Sequence, residues 1–105
     1  MAIVRDQIPD VQCLVMGNPQ LKTAYSQQVQ DTISRLGLED TVHLMGFVED
    51  DVMRAWFAEA DVLALPSMND GLWFEGFGLV VFEASAAGTA VIGTDQCGVA
   101  DAIEH

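Results

Sequence analysis

The stretch Glu75-Gly76-Phe77-Gly78-Leu79-Val80-Val81-Phe82-Glu83, continued by the small-residue run Ala84 to Gly88, decides how the whole chain reads. Two carboxylates stand eight positions apart, with two glycines and a short apolar block between them. The apolar block reads as the opening of a helix. Each Cα–Cβ bond of a helix tilts toward the N-terminus, so Glu83 is expected to lean back toward the loop that carries Glu75. Gly76 and Gly78 allow a ligand to approach the backbone closely, and the unpaired N–H groups of a first turn attract an anion. Carboxylates accept hydrogen bonds from hydroxyls, so a ligand with both hydroxyls and phosphate, such as a sugar nucleotide, suits this stretch. The plain alternatives are a solvated loop glutamate at Glu75 and an exposed helix glutamate at Glu83. The neighbours weigh against the second. Leu79, Val80, Val81, Phe82, Ala84, Ala86 and Ala87 make the helix apolar on nearly every side, which predicts burial, and a buried lone carboxylate needs a partner.

Working outward, strand and helix signals alternate. Residues Met1 to Pro9 read as the tail of a helix. Val11 to Met16 is an apolar run ending at Gly17, a buried strand by pattern. Asn18 and Pro19 then supply a helix cap and a first-turn proline. Leu21, Tyr25, Val29, Ile33 and Leu36 define one apolar face of the next helix, which stops at Gly37. Thr41 to Met45 is a second strand, closed by Gly46. Asp50 or Asp51 caps a helix whose shared face carries Val52, Met53, Trp56, Phe57 and Ala60. Asp61 to Leu65 is a third strand, stopped by Pro66, and a polar loop from Ser67 to Phe74 leads into the central stretch. Past Gly88, Ala90 to Gly93 is a fourth strand, and Gly98 to Glu104 begins one more helix.

Such alternation predicts an α/β layer with a parallel sheet, and ligands of such sheets bind at the carboxyl ends of the strands. Those ends carry Gly17-Asn18, Gly46-Phe47-Val48, Ser67 onward to Glu83, and Thr94-Asp95. One sheet edge is therefore expected to gather the glycines and the two carboxylates. His43 reads as a packed or surface histidine within its strand, and Asp95 as a solvated turn carboxylate. Trp73 and Phe74 serve equally well as a lid or as a loop anchor.

Composition bounds the rest. One domain spans residues 1–105, and with half its residues hydrophobic it has material for a modest core. A net charge of −12 arises from 16 acidic residues against Arg5, Lys22, Arg35 and Arg54, which makes nucleic acid and anionic membranes poor partners. Cys13 and Cys97 form no CxxC, no His pair stands at ligand spacing, and reduced thiols are expected. Without a signal peptide or a bilayer-length apolar run, the expected location is the cytoplasm.

In this order and with these flanks, the residues resemble a known family. Pro66-Ser67, Glu75-Gly76-Phe77-Gly78-Leu79, Phe82-Glu83-Ala84 and Gly88-Thr89-Ala90-Val91-Ile92 look like the signature of family-4 retaining glycosyltransferases of the GT-B fold. Leu14-Val15-Met16-Gly17, Val42 to Val48, Ala60-Asp61-Val62 and Gly98 to Ile103 extend the resemblance over essentially the whole chain from Ile8. It implies a Rossmann-like parallel sheet with flanking helices, an incomplete C-terminal half of a GT-B fold, that binds a nucleotide-diphosphate sugar. By this resemblance Glu75, the candidate catalytic residue, contacts donor-sugar hydroxyls. The backbone of Gly76, Phe77 and Gly78, with Leu79 following, lies near the sugar and phosphates, and Glu83 accepts from the ribose hydroxyls. Phe47 and Val48 border the base, and Gly17 allows close approach near the diphosphate. No metal is implied, because cationic side chains and a helix N-terminus stabilise the leaving diphosphate.

The same resemblance implies groups not found in these residues: the Arg and Lys that grip the diphosphate, and an N-terminal acceptor-binding domain. The chain alone is therefore expected to transfer nothing, and to self-associate through exposed sheet edges. The competing readings are a non-catalytic nucleotide-sugar-binding or interaction module, and a fragment of a GT-B-like phosphorylase or epimerase, which the Glu75–Glu83 stretch matches less well.

Overall fold

A computed structural model describes residues 1–17, 24–68, 76–95 and 98–103. The chain divides into two compact units, Met1–Val48 and Glu49–His105. The sequence-predicted cap at Asn18 and Pro19, Leu21, Trp73, Phe74, Glu75, Cys97 and Glu104 lie outside the described residues.

In the first unit, helix α1 (Ala2–Gln7) precedes strand β1 (Cys13–Met16), helix α2 (Ala24–Arg35) and strand β2 (Val42–Gly46). β1 and β2 pair in parallel, with Leu14 opposite His43 and a shift of register between Val15 and Met16. A Gly17 N–H···O=C bond to Gly46, 2.9 Å, closes the carboxyl end of the pair, and Cys13 N–H to the Thr41 carbonyl, 2.8 Å, closes the other. α2 ends as the sequence predicts. Gly37 adopts φ +59°, a left-handed conformation that a side chain disfavours, and Leu38 N–H turns back to the Ile33 carbonyl. The Arg5 guanidinium donates to the Gly37 carbonyl and so ties α1 to the end of α2. Among the described residues of this unit Leu38 and Thr41 are buried, while the predicted face of α2 is only partly covered: Val29 and Ile33 are half-buried and Tyr25 is 73 % exposed.

In the second unit, helix α3 (Asp50–Glu59), strand β3 (Val62–Leu65), helix α4 (Leu79–Ala86), strand β4 (Ala90–Gly93) and helix α5 (Val99–Ala102) follow in order. β3 and β4 run parallel from Val62 opposite Ala90 to Leu65 opposite Gly93. Such pairing needs a crossover, and α4 supplies it, packing on both strands. Val81 and Val99 form the fully buried centre, with Leu65, Val91, Ala102 and Ile103 packed around them. α3 contributes Phe57 to burial, and the Thr89 hydroxyl donates to the Phe57 carbonyl, fastening the start of β4 to α3. Glu49, rather than Asp50 or Asp51, occupies the cap position of α3, with no side-chain capping bond. The Asp51 carboxylate instead accepts from the Val52 N–H at 2.9 Å.

The α/β class and the parallel pairing follow the sequence pattern. The predicted single sheet is present as two two-stranded sheets, β1-β2 and β3-β4.

Candidate functional site

The candidate site is the head of α4, built by three converging elements of the second unit. β3 delivers Pro66 and Ser67 at its carboxyl end, β4 delivers Thr94 at its own, and Gly76 to Gly78 lead into the helix. Gly78 is the N-cap of α4, at φ 64° and ψ 53°. Its left-handed φ disfavours a side chain, and the surrounding space is snug as well. A Cβ there would meet Val99 Cγ2 at 3.3 Å, Leu65 Cδ2 at 3.4 Å and Val81 Cγ2 at 3.5 Å. Gly78 is thus pressed into the core while its carbonyl accepts from Val81 N–H at 2.8 Å to start the helix. Gly76 stands in the opposite setting: a Cβ built on it meets nothing within 4 Å. The backbone is therefore approachable at Gly76 and locked at Gly78.

Leu79, Phe82 and Glu83 fall on one face of α4 by helical spacing, and all three are exposed. The rings of Phe77 and Phe82 stack, with centroids 5.0 Å apart and planes 18° from parallel. The prediction that α4 is buried all round is corrected here. Only Val81 and Ala84 are buried, because the helix meets the strands along a single narrow face. Glu83 needs no buried partner; its carboxylate projects from an exposed, partly aromatic face one turn from the helix start. Residues 55–105 contain no Lys or Arg, so an anion here would meet backbone dipoles and no cationic side chain of this segment.

Of the remaining predicted residues, Gly17, Phe47 and Val48 belong to the first unit. Gly17 and Gly46 are hydrogen-bonded at the ends of their strands, so the structure brings Gly17 and Phe47 to one end of β1-β2, with Phe47 72 % exposed. His43 Nε2 lies 2.6 Å from Gln12 Oε1, which gives it a structural partner. Asp95 is an exposed turn residue.

The sequence places Thr94 at a strand end and Thr89 just before β4, but gives no sign of the hydrogen bonds these two threonines make at either end of β4. Thr89 bonds the Phe57 carbonyl at one end, and the Thr94 hydroxyl donates to the Ser67 carbonyl at the other. Neither bond has a local signal, since each partner is far away in sequence. No described helix is long and apolar enough to cross a membrane.

Comparison with known proteins bears on the family and the fold. Residues 1–105 match the family described as glycosyl transferases group 1. The D-inositol 3-phosphate glycosyltransferase of Jonesia denitrificans is 31% identical over 108 residues, covering 100% of this chain and 24% of the relative. The amylovoran biosynthesis glycosyltransferase AmsK of Erwinia amylovora is 35% identical over 80 residues, 74% of this chain and 19% of its own length. Among solved structures, HepE of Anabaena in complex with UDP-glucose superposes with a TM-score of 0.78 at 30% identity, over 92% of this chain and 25% of HepE. The same protein has been solved with UDP and glucose, and with UDP. The chain spans about a quarter of the length of the relatives it matches along its whole extent. With a parallel α/β scaffold, a glycine-led helix head and a match over every residue, the chain belongs to the group 1 glycosyl transferases.

Proposed function

We propose that this chain is the donor-binding portion of a retaining glycosyltransferase that transfers a hexosyl group from a nucleotide-diphosphate sugar, with a uridine nucleotide as the favoured donor. The observation that carries the proposal is the head of α4. Gly78 is fixed by the core, Gly76 is open, and Glu83 stands exposed within a turn of the helix start. That arrangement offers backbone N–H groups to phosphate and a carboxylate to ribose hydroxyls. The likeness to HepE, solved with UDP-glucose and UDP, supports uridine as the base. Glu75 is assigned to the donor sugar hydroxyls by the family resemblance.

In this reading the diphosphate is held by the helix N-terminus together with cations from outside residues 55–105, without a metal ion. The isolated 105 residues bind donor and transfer nothing. They also self-associate: Val15, Leu44 and Met45 on β1-β2, and Val62 and Ile92 on β3-β4, are exposed apolar positions of two-stranded sheets that are stable only when covered. Light scattering at micromolar concentration is expected to give a mass above that of a monomer.

The deciding experiment is calorimetric titration with UDP-glucose, UDP and GDP, for the wild type and Glu83→Gln. The wild type is expected to prefer the uridine ligands, with or without a chelator. Loss of the charged acceptor should weaken binding by about 10- to 100-fold, the range for a hydrogen bond to an ionised group. Because Glu83 is exposed, the thermal midpoint should not move. Equal binding by the two proteins would remove Glu83 from the site.

A further inference from the structure

We infer that Thr94 is a positioning residue for the donor site at the head of α4, an assignment that rests on the reading above. The β3-β4 ladder ends at Leu65 opposite Gly93. Beyond that rung β3 leads to Ser67 and β4 to Thr94 and Asp95. The Thr94 hydroxyl, donating to the Ser67 carbonyl, adds one more link where the ladder has stopped. It lies at the carboxyl edge, where ligands of parallel sheets bind.

The link reaches the site through Val99. A Cβ on Gly93 would lie 2.4 Å from Val99 Cγ1, and one on Gly78 would lie 3.3 Å from Val99 Cγ2. One fully buried valine therefore touches both the residue before Thr94 and the N-cap of α4. Leu65, two residues before Ser67, also abuts Gly78. Strand ends, α5 and helix head form one packed corner, and Thr94 closes it on the side of Ser67. Displacing the strand ends by a fraction of an ångström displaces Gly78, because cores transmit rather than absorb such shifts.

Thr89 provides an internal control. It makes the same kind of bond from the opposite end of the same strand, to the Phe57 carbonyl, away from the helix head. A merely structural hydroxyl and a positioning one can therefore be told apart within β4.

The test compares Thr94→Val, Thr94→Ser and Thr89→Val. It reads UDP-glucose affinity by titration and hydrogen exchange of the amides from Gly78 to Val81. Thr94→Val preserves side-chain shape and removes the donor. It is expected to weaken UDP-glucose about tenfold, the loss equivalent to one ordinary hydrogen bond. It should also speed exchange at the α4 head ahead of the rest of the unit. Thr94→Ser, which keeps the hydroxyl, should restore both, and Thr89→Val should lower the thermal midpoint with affinity unchanged. Wild-type affinity in Thr94→Val, or an equal loss in Thr89→Val, overturns the assignment. If the wild type binds no UDP-glucose, the donor reading fails and exchange alone judges the latch. Acceleration confined to the α4 head then upholds it, and uniform or absent acceleration overturns it.

Discussion

The two units use the same β-α-β grammar and reach different degrees of burial. In Glu49–His105, the crossover helix α4 and the short α5 close over the strands, and Val81, Ala84 and Val99 are at most 1 % exposed. In Met1–Val48 the crossover helix α2 has no buried residue, and Leu38 is the one described hydrophobic side chain of that unit that is fully covered. The lesson is that parallel pairing alone does not make a core. Two parallel strands present apolar side chains on both faces, and each face needs its own layer. The second unit covers one of them with α4 and α5. The first relies on backbone bonds at the strand ends and on the Arg5 tether.

The contrast can be broken most sharply at glycines. Gly93→Ala places a methyl 2.4 Å from Val99 Cγ1 and 2.7 Å from Ile103 Cδ1. It is expected to cost about 3 kcal/mol in denaturant unfolding, the upper part of the range for overpacking. Gly37→Ala in the first unit meets open space and pays only for its positive φ, about 1 kcal/mol. If Gly37→Ala proved the costlier, the assignment of the tight core to the second unit would be wrong.

A cavity tests the same contrast. Val81→Ala should cost about 2 kcal/mol, with amides of the second unit losing exchange protection together. Leu14→Ala, at a half-buried position of β1, should cost about 1 kcal/mol or less. A smaller effect is expected at the tether: Arg5→Ala removes the bond to the Gly37 carbonyl and should cost about 0.5–1 kcal/mol. Faster exchange should then appear at the end of α2 and leave α4 untouched. The smallest expected effect is global. With a net charge of −12, raising salt from low to physiological strength should screen self-repulsion and raise the thermal midpoint by a degree or two, about the scale of a few tenths of a kcal/mol. A fall in the midpoint would instead show that attractive pairs dominate.

Much of the fold was legible because local signals agree with it. Gly37 and Gly88 stop α2 and α4 at left-handed backbone positions, and the fourth strand, Ala90–Gly93, has the predicted bounds. Of the candidate site, Gly76 and Gly78 were legible as a pair but not as opposites. The sequence does not say that one glycine is open and the other wedged between Leu65, Val81 and Val99. The exposure of Glu83 was misread because an apolar helix implies burial only where neighbours exist on every side. Thr94 was legible as a strand-end residue, but the bonds of Thr89 and Thr94 were not, since each reaches a carbonyl 32 or 27 residues away.

The sequence by itself determined the alternation of elements, the glycine-led helix head and membership of the group 1 glycosyl transferases. These are properties of spacing and backbone permission, which neighbouring residues dictate. Only the tertiary structure decided which face of α4 is covered, that Val99 touches both Gly93 and Gly78, and that threonine hydroxyls fasten both ends of β4. Those facts depend on which segments distant in sequence meet, and contact across the sheet is set by packing rather than by any local pattern.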